Sequence, residues 1–136
     1  MPFVVNASLA LAWQFEDETS EYADRVLDLL REDRAVVPSV WPLEVANGLL
    51  TAERRGRLSP ARLARAVDLL QELPIFVFEG GAHVALGPVL ELARVHGLSA
   101  YDAAYLEMAM REGLPLATLD DALRTASSRA GVTLVD

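Results

Sequence analysis

Five short apolar runs set the limits on what this chain can fold into: FVV (3–5), AVV (35–37), IFVF (75–78), PLAT (115–118) and VTLV (132–135). Each is continuous rather than alternating, the pattern of strands covered on both faces of a parallel sheet. Helical patterns fill the intervals. Residues 20–32 put Tyr22, Val26, Leu29 and Leu30 on one stripe and acids on the other. A second helix runs from Trp41 to Arg54, and a third opens on Ser59-Pro60, a cap followed by proline at the first helical position. Residues 82–97 contain Pro88, so a helix there is kinked at that proline or starts there. The segments 99–113 and 120–131 each end on a glycine stop signal. Strands alternating with helices predict an α/β domain with a mostly parallel five-stranded sheet. The whole of 1–136 reads as one domain, and residues 41–73 form a helical insertion too small to be a second one.

Composition narrows the function classes. Apolar residues make up 52% of the chain and charged residues 24%, a globular balance. No apolar run reaches the roughly 18 residues needed to span a bilayer, so no membrane role is expected. The opening MPFVVN has neither a basic stretch nor a cleavable apolar segment, so no secretory signal is expected. There is no cysteine, which fits a cytoplasmic chain and rules out thiolate metal sites. The net charge of −8 argues against a broad basic surface that grips nucleic acid by counterion release. All twelve basic residues are Arg.

In an open parallel sheet, ligands bind beyond the carboxyl ends of the strands. The first strand ends at Asn6, and Glu44 falls in the early turns of the helix after the second. Asp120 and Asp121 follow the fourth, while Asp102 opens the helix that feeds it. Local roles compete with a shared one. Ser99 with Asp102, and Thr118 with Asp121, fit capping boxes, and any acid in a first helical turn suits the helix dipole. Asp120 is the hardest to assign to capping, because it follows a buried strand directly. Glu44 has Asn47 and Gly48 on its face, a small polar patch on an apolar helix. Charged groups beside packed faces need a partner, and for clustered carboxylates a hard divalent cation is the natural one.

Three stretches carry a resemblance: VVNASLALAW, WPLEVANGLL and LSAYDAAYLEMAMREGLPLATLDDAL. Together they resemble the PIN domain of VapC-type toxins, along almost the whole chain. The resemblance implies a three-layer α/β/α sandwich and a Mg²⁺- or Mn²⁺-dependent endoribonuclease. It also implies a homodimer neutralised by a cognate antitoxin. Carried onto this sequence, the acidic metal-binding and catalytic site falls on Glu44, Asp102 and Asp120, with Asn6 where the family has its first Asp. Ser8 keeps the hydroxyl of that motif, Thr118 matches the polar residue before the last acid, and Asp121 and Asn47 are supporting candidates. An Asn oxygen can still ligate a hard cation but brings no charge, so weakened cation affinity is expected.

Carboxylate-held cations suit phosphodiester cleavage, because they activate water and stabilise the leaving oxygen. His83 and His96 lie away from the motifs. Arg54, Arg55 and Arg57, the densest positive charge in the chain, read either as a phosphate grip or as a solvated helix end suited to the dipole. A rival reading is an inactive PIN-fold protein that only binds an antitoxin or a twin subunit. A phosphoacceptor signalling domain would need a Lys, and the chain has none.

Overall fold

The computed structural model describes every residue from Met1 to Asp136. Strand β1 (Phe3–Val5) is followed by helices α1 (Ala7–Ala12) and α2 (Glu21–Leu29). Strand β2 (Ala35–Pro38) leads into α3 (Val40–Arg54) and α4 (Pro60–Glu72), the predicted helical pair. Strand β3 (Ile75–Phe78) leads into α5 (Gly81–Val84), a π turn over Ala85–Val89, and α6 (Leu90–His96). Helix α7 (Ala100–Glu112), strand β4 (Leu116–Ala117) and α8 (Asp121–Arg129) complete the order.

All strand pairs are parallel, in the order β3-β2-β1-β4. Every residue of β1, and Ala35 to Val37 of β2, is buried, so helices cover both faces of the sheet centre. Helices α3 and α7 both pack on β2, and α7 also packs on β1. The architecture is the expected α/β/α arrangement.

Three expectations need correction. The sheet has four strands, not five: the 132–135 run contributes one parallel bridge, Leu134 to Leu116. Its partner β4 is only two residues long, since Pro115 has no N–H to give and Asp120 already caps the next helix. Strand β3 is not covered on both faces. It lies at the sheet edge, and Phe76 and Phe78 are about half exposed, 50% and 46%. On α2, Leu29 turns to solvent while Tyr22, Val26 and Leu30 face inward.

Local signals otherwise act as their chemistry requires. Ser59 caps α4 with Pro60 at its first turn, and Ser99 caps α7. Gly97 and Gly113 end α6 and α7 in the left-handed conformation that glycine adopts without steric cost. Pro88 neither starts nor breaks its helix. Its missing N–H and bulky ring are absorbed by widening one turn into a π turn.

Burial therefore separates two similar residues. Phe3→Ala, in the covered sheet centre, is expected to cost about 3–5 kcal/mol. Phe76→Ala, at the open edge, is expected to cost roughly 1 kcal/mol or less. Urea denaturation of the isolated chain measures both, and equal losses would contradict the edge position of β3.

Candidate active site

The carboxyl ends of β1, β2 and β4 point to one edge of the sheet, and the polar residues gather there. The Asn6 N–H donates to the Ala117 carbonyl at 3.3 Å, which sets the end of β1 beside the end of β4. Asn6 is buried, at 3% exposure, and caps α1: its Oδ1 accepts from the Leu9 amide at 3.2 Å. Its Nδ2 donates to Ser8 Oγ at 2.9 Å. A polar residue thus ends this buried strand in part because the helix that follows at once needs a cap.

Thr118 is fully buried, and its hydroxyl accepts from the Asp120 amide at 3.1 Å. Asp120, not Thr118, caps α8, through Oδ2 to the Leu123 amide at 2.8 Å. The capping box read between Thr118 and Asp121 is therefore not the one formed, and Asp121 is solvent-exposed. Arg124, one turn on, donates to the Thr118 carbonyl at 2.8 Å and lies over the Tyr22 ring.

Helix α7 brings Asp102 to the same edge, its amide bonded to the Ser99 hydroxyl at 3.1 Å. Glu44, in the second turn of α3, lies close enough for its charge and that of Asp102 to interact. Burial raises the pKa of both carboxyls, and their like charges add to the shift: Asp102 acts on Glu44, and Asp120 acts on Asp102. The three acids thus form a row of mutually repelling neighbours. None of them takes part in a salt bridge.

One participant gave only a faint signal in the sequence. Tyr105, fully buried and one turn after Asp102, donates its hydroxyl to Glu44 Oε1 at 2.6 Å. Burial, then the bond to Glu44, push its phenol far above the usual range. The clue was its spacing from Asp102, which also suits a core tyrosine.

A hard divalent cation fits this donor set in kind: all donors are oxygens, partly desolvated, with excess negative charge. Glu44 and Asp120 would hold it through the oxygens that Tyr105 and Leu123 leave free, together with Asp102. No three acids or imidazoles stand close enough to enclose an ion by themselves. Asn6 Oδ1 is engaged in its cap, and Asn47 is exposed on α3.

The arginine cluster divides. Arg54 and Arg55 are exposed at the end of α3. Arg57 instead bridges Asp17 at 3.1 Å and Glu18 at 2.8 Å and stacks over Phe15, because the acidic loop after α1 folds against it. His83 lies on α5 and His96 at the end of α6, and neither forms a hydrogen bond or ion pair with the acids.

The raised carboxyls set a pH dependence. A raised folded-state pKa gives stability that is complete below the unfolded value and is lost as pH rises through the folded one. Near neutrality, ionised Asp102 and Glu44 therefore weaken the metal-free fold. Asp102→Asn is expected to raise its melting temperature at pH 7 by on the order of a few degrees. The gain should shrink to nothing as pH falls through the carboxyl range. A gain independent of pH would show that like-charge repulsion is not its source.

The sequence profile of the PIN domain matches residues 3–128. Ribonuclease VapC3 of Pyrobaculum aerophilum is 36% identical over 123 residues, covering 88% of this chain and 90% of that protein. The crystal structure of PAE2754 from the same organism superposes with a TM-score of 0.70 at 25% identity, over 93% of this chain and 84% of that one. VapBC2 from Rickettsia felis, bound to a DNA fragment from its promoter, gives 0.69 at 14% identity, over 99% and 98% of the two chains. FitAcB from Neisseria gonorrhoeae gives 0.66 at 16%, over 100% and 97%. These last two likenesses are of fold alone. With the acids of three separate segments gathered at one edge of the same fold, the chain belongs to the PIN-domain family, in its VapC branch.

Proposed function

We propose that this chain is a VapC-type toxin: a divalent-metal-dependent endoribonuclease, with Mg²⁺ or Mn²⁺ as its ion, acting in the cytoplasm as a homodimer. The observation that carries the reading is the row Glu44–Asp102–Asp120, half-buried, mutually repelling and without a cationic partner in the protein. Similarity to a curated ribonuclease supports the reaction class. The cation supplies Lewis acidity and offsets phosphate charge, which an acidic protein otherwise repels. The protein's own part is to orient the donors: the Thr118 hydroxyl holds the Asp120 backbone, the Leu123 amide holds its carboxylate, and Tyr105 fixes Glu44. Arg54 and Arg55 are the basic side chains left free to hold RNA phosphates at the end of α3, while Arg57 fastens the loop before α2.

Cleavage of RNA by the purified chain, dependent on added Mg²⁺ or Mn²⁺ and reduced to background by Asp102→Asn or Asp120→Asn, tests the reading. A cognate antitoxin is the expected protein partner, since solved neighbours of the fold include the VapBC2 complex. An arginine from such a partner would pair well with the unpartnered acids and compete with the cation. Co-expression with the neighbouring reading frame should yield a stable complex, and a chain that purifies alone from that pair would count against an antitoxin.

A second reading, an inactive PIN-fold binding protein, is favoured by one observation: Asn6 is neutral and its oxygen already caps α1. Asn6→Asp separates the two. Asp caps helices as well as Asn, and Ser8 can reverse its hydrogen bond, so the fold should tolerate the change. Within a few Å of a cation, one added charge is expected to tighten Mn²⁺ binding by roughly 10- to 1000-fold and to raise cleavage with it. Unchanged affinity and unchanged activity in calorimetry and RNA assays would place residue 6 outside the cation site.

The basic end of α3 makes a separate prediction. Arg54→Ala with Arg55→Ala should weaken RNA binding and lower its salt slope by about 2, leaving cation affinity as it was. Arg57→Ala should mainly loosen residues 13–20, seen as faster amide exchange there. An unchanged salt slope in the double variant would make Arg54 and Arg55 only a solvated helix end.

A further inference from the structure

Tyr105 and Glu44 are 61 residues apart, on different helices, yet share the shortest side-chain hydrogen bond in the protein's acidic edge, 2.6 Å. The phenol is 1% exposed and has no route to solvent as an alternative partner. It projects from α7 one turn after Asp102, so both lie on the same helix face. One hydroxyl therefore ties α3 to α7 at the acidic edge.

Glu44 has two oxygens, and Tyr105 occupies Oε1. Oε2 takes no hydrogen bond from the protein. A hydrogen bond to one carboxylate oxygen fixes the group's orientation and leaves that oxygen less to give, so a cation is met chiefly through the other. That distinction matters between ions. Mg²⁺, and Mn²⁺ which favours similar oxygen ligands, suit six-coordinate sites with single-oxygen carboxylates and several waters, while Ca²⁺ takes 6–8 ligands and uses carboxylates through both oxygens.

We propose that Tyr105 is a positioning residue of the acidic site, holding one oxygen of Glu44 so that only the other faces the cation, and thereby favouring Mg²⁺ and Mn²⁺ over Ca²⁺. This rests on the cation-site reading above. It adds to that reading a residue that touches neither ion nor RNA and acts through Glu44 alone. A tyrosine that only filled the core would be replaced by phenylalanine with no change in ion preference.

Titration of Mn²⁺ and Ca²⁺ into the metal-free chain by calorimetry tests it. In Tyr105→Phe, Mn²⁺ affinity should fall by on the order of 10- to 100-fold, the range for loss of an outer partner of a ligand. Ca²⁺ affinity should hold or rise, so that the Mn²⁺/Ca²⁺ ratio collapses. In a Glu44→Gln background the same change should cost nothing further, since coupling through one carboxylate is not additive. Equal ratios in Tyr105→Phe and the original chain would overturn the proposal while leaving the cation site standing, as would additive losses in the double variant. An original chain that binds neither ion would overturn the cation site itself. Circular dichroism and a cooperative melt check the fold. Should Tyr105→Phe not fold, Glu44→Asp breaks the same bond by withdrawing the carboxylate one methylene, and it should show the same collapse of the ratio.

Discussion

The burial of β1 between two parallel neighbours is the constraint on which the rest of the structure depends. Phe3, Val4 and Val5 are at most 1% exposed, paired with β2 on one side and β4 on the other. Because all three strands run the same way, their carboxyl ends open at one edge, and whatever follows each strand is delivered there. Asn6 follows β1 immediately, Thr118 follows β4, and Glu44 comes two turns after β2. Helix α7 lies across β1 and β2 on its buried residues Ala103, Leu106 and Met108. That packing fixes the height at which Asp102 and Tyr105 meet the edge. No loop longer than a cap stands between the sheet and the acids, so their placement inherits the rigidity of the core.

The acids also serve the elements that carry them. Asp120 caps α8 and Asn6 caps α1, while Asp102 sits in the capped first turn of α7. Capping and cation binding are often treated as competing explanations for an acid at a helix start. At Asp120 one oxygen is held by the Leu123 amide and the other takes no hydrogen bond from the protein. The local role is what aims the remaining oxygen. The same division recurs at Glu44, where a phenol takes the place of the amide.

Much of this was legible in the sequence, for definable reasons. Continuous apolar runs reported the buried strands, and Ser59-Pro60, Ser99 and Gly113 reported helix ends, because each signal is local and steric. That polar residues following parallel strands gather at one edge followed from topology alone, and Glu44 and Asp120 sit just beyond the ends of β2 and β4. What failed depended on neighbours that a run of letters does not carry. IFVF reads like a central strand, and only the strand order shows that it is an edge. VTLV reads like a fifth strand, but its partner is two residues long. Arg57 reads like part of a free cluster, and its engagement by Asp17 and Glu18, some 40 residues away, belongs to the fold. Tyr105 was visible as a neighbour of Asp102, while its partner on another helix was not.

The acidic edge differs in its electrostatics from the other place where a carboxylate leaves water. Six of the twelve arginines find acids or aromatic rings elsewhere: Arg25 and Arg124 over Tyr22, Arg31 with Asp28, Arg57 with Asp17 and Glu18, Arg94 with Glu91, and Arg111 with Glu107. Glu107, nearly buried, is held by a forked guanidinium, the arrangement expected when a charge leaves water. Glu44 and Asp102 are partly desolvated too, yet they receive no cation from the protein and repel each other. Arginine was available to the chain in twelve copies, and none is spent there. Stability alone would favour a guanidinium or an amide at this edge, so the unpaired acids are a local cost that the rest of the fold carries. Such departures from consistency concentrate at functional sites, because a group that must meet a ligand's charge cannot already be neutralised by its own protein.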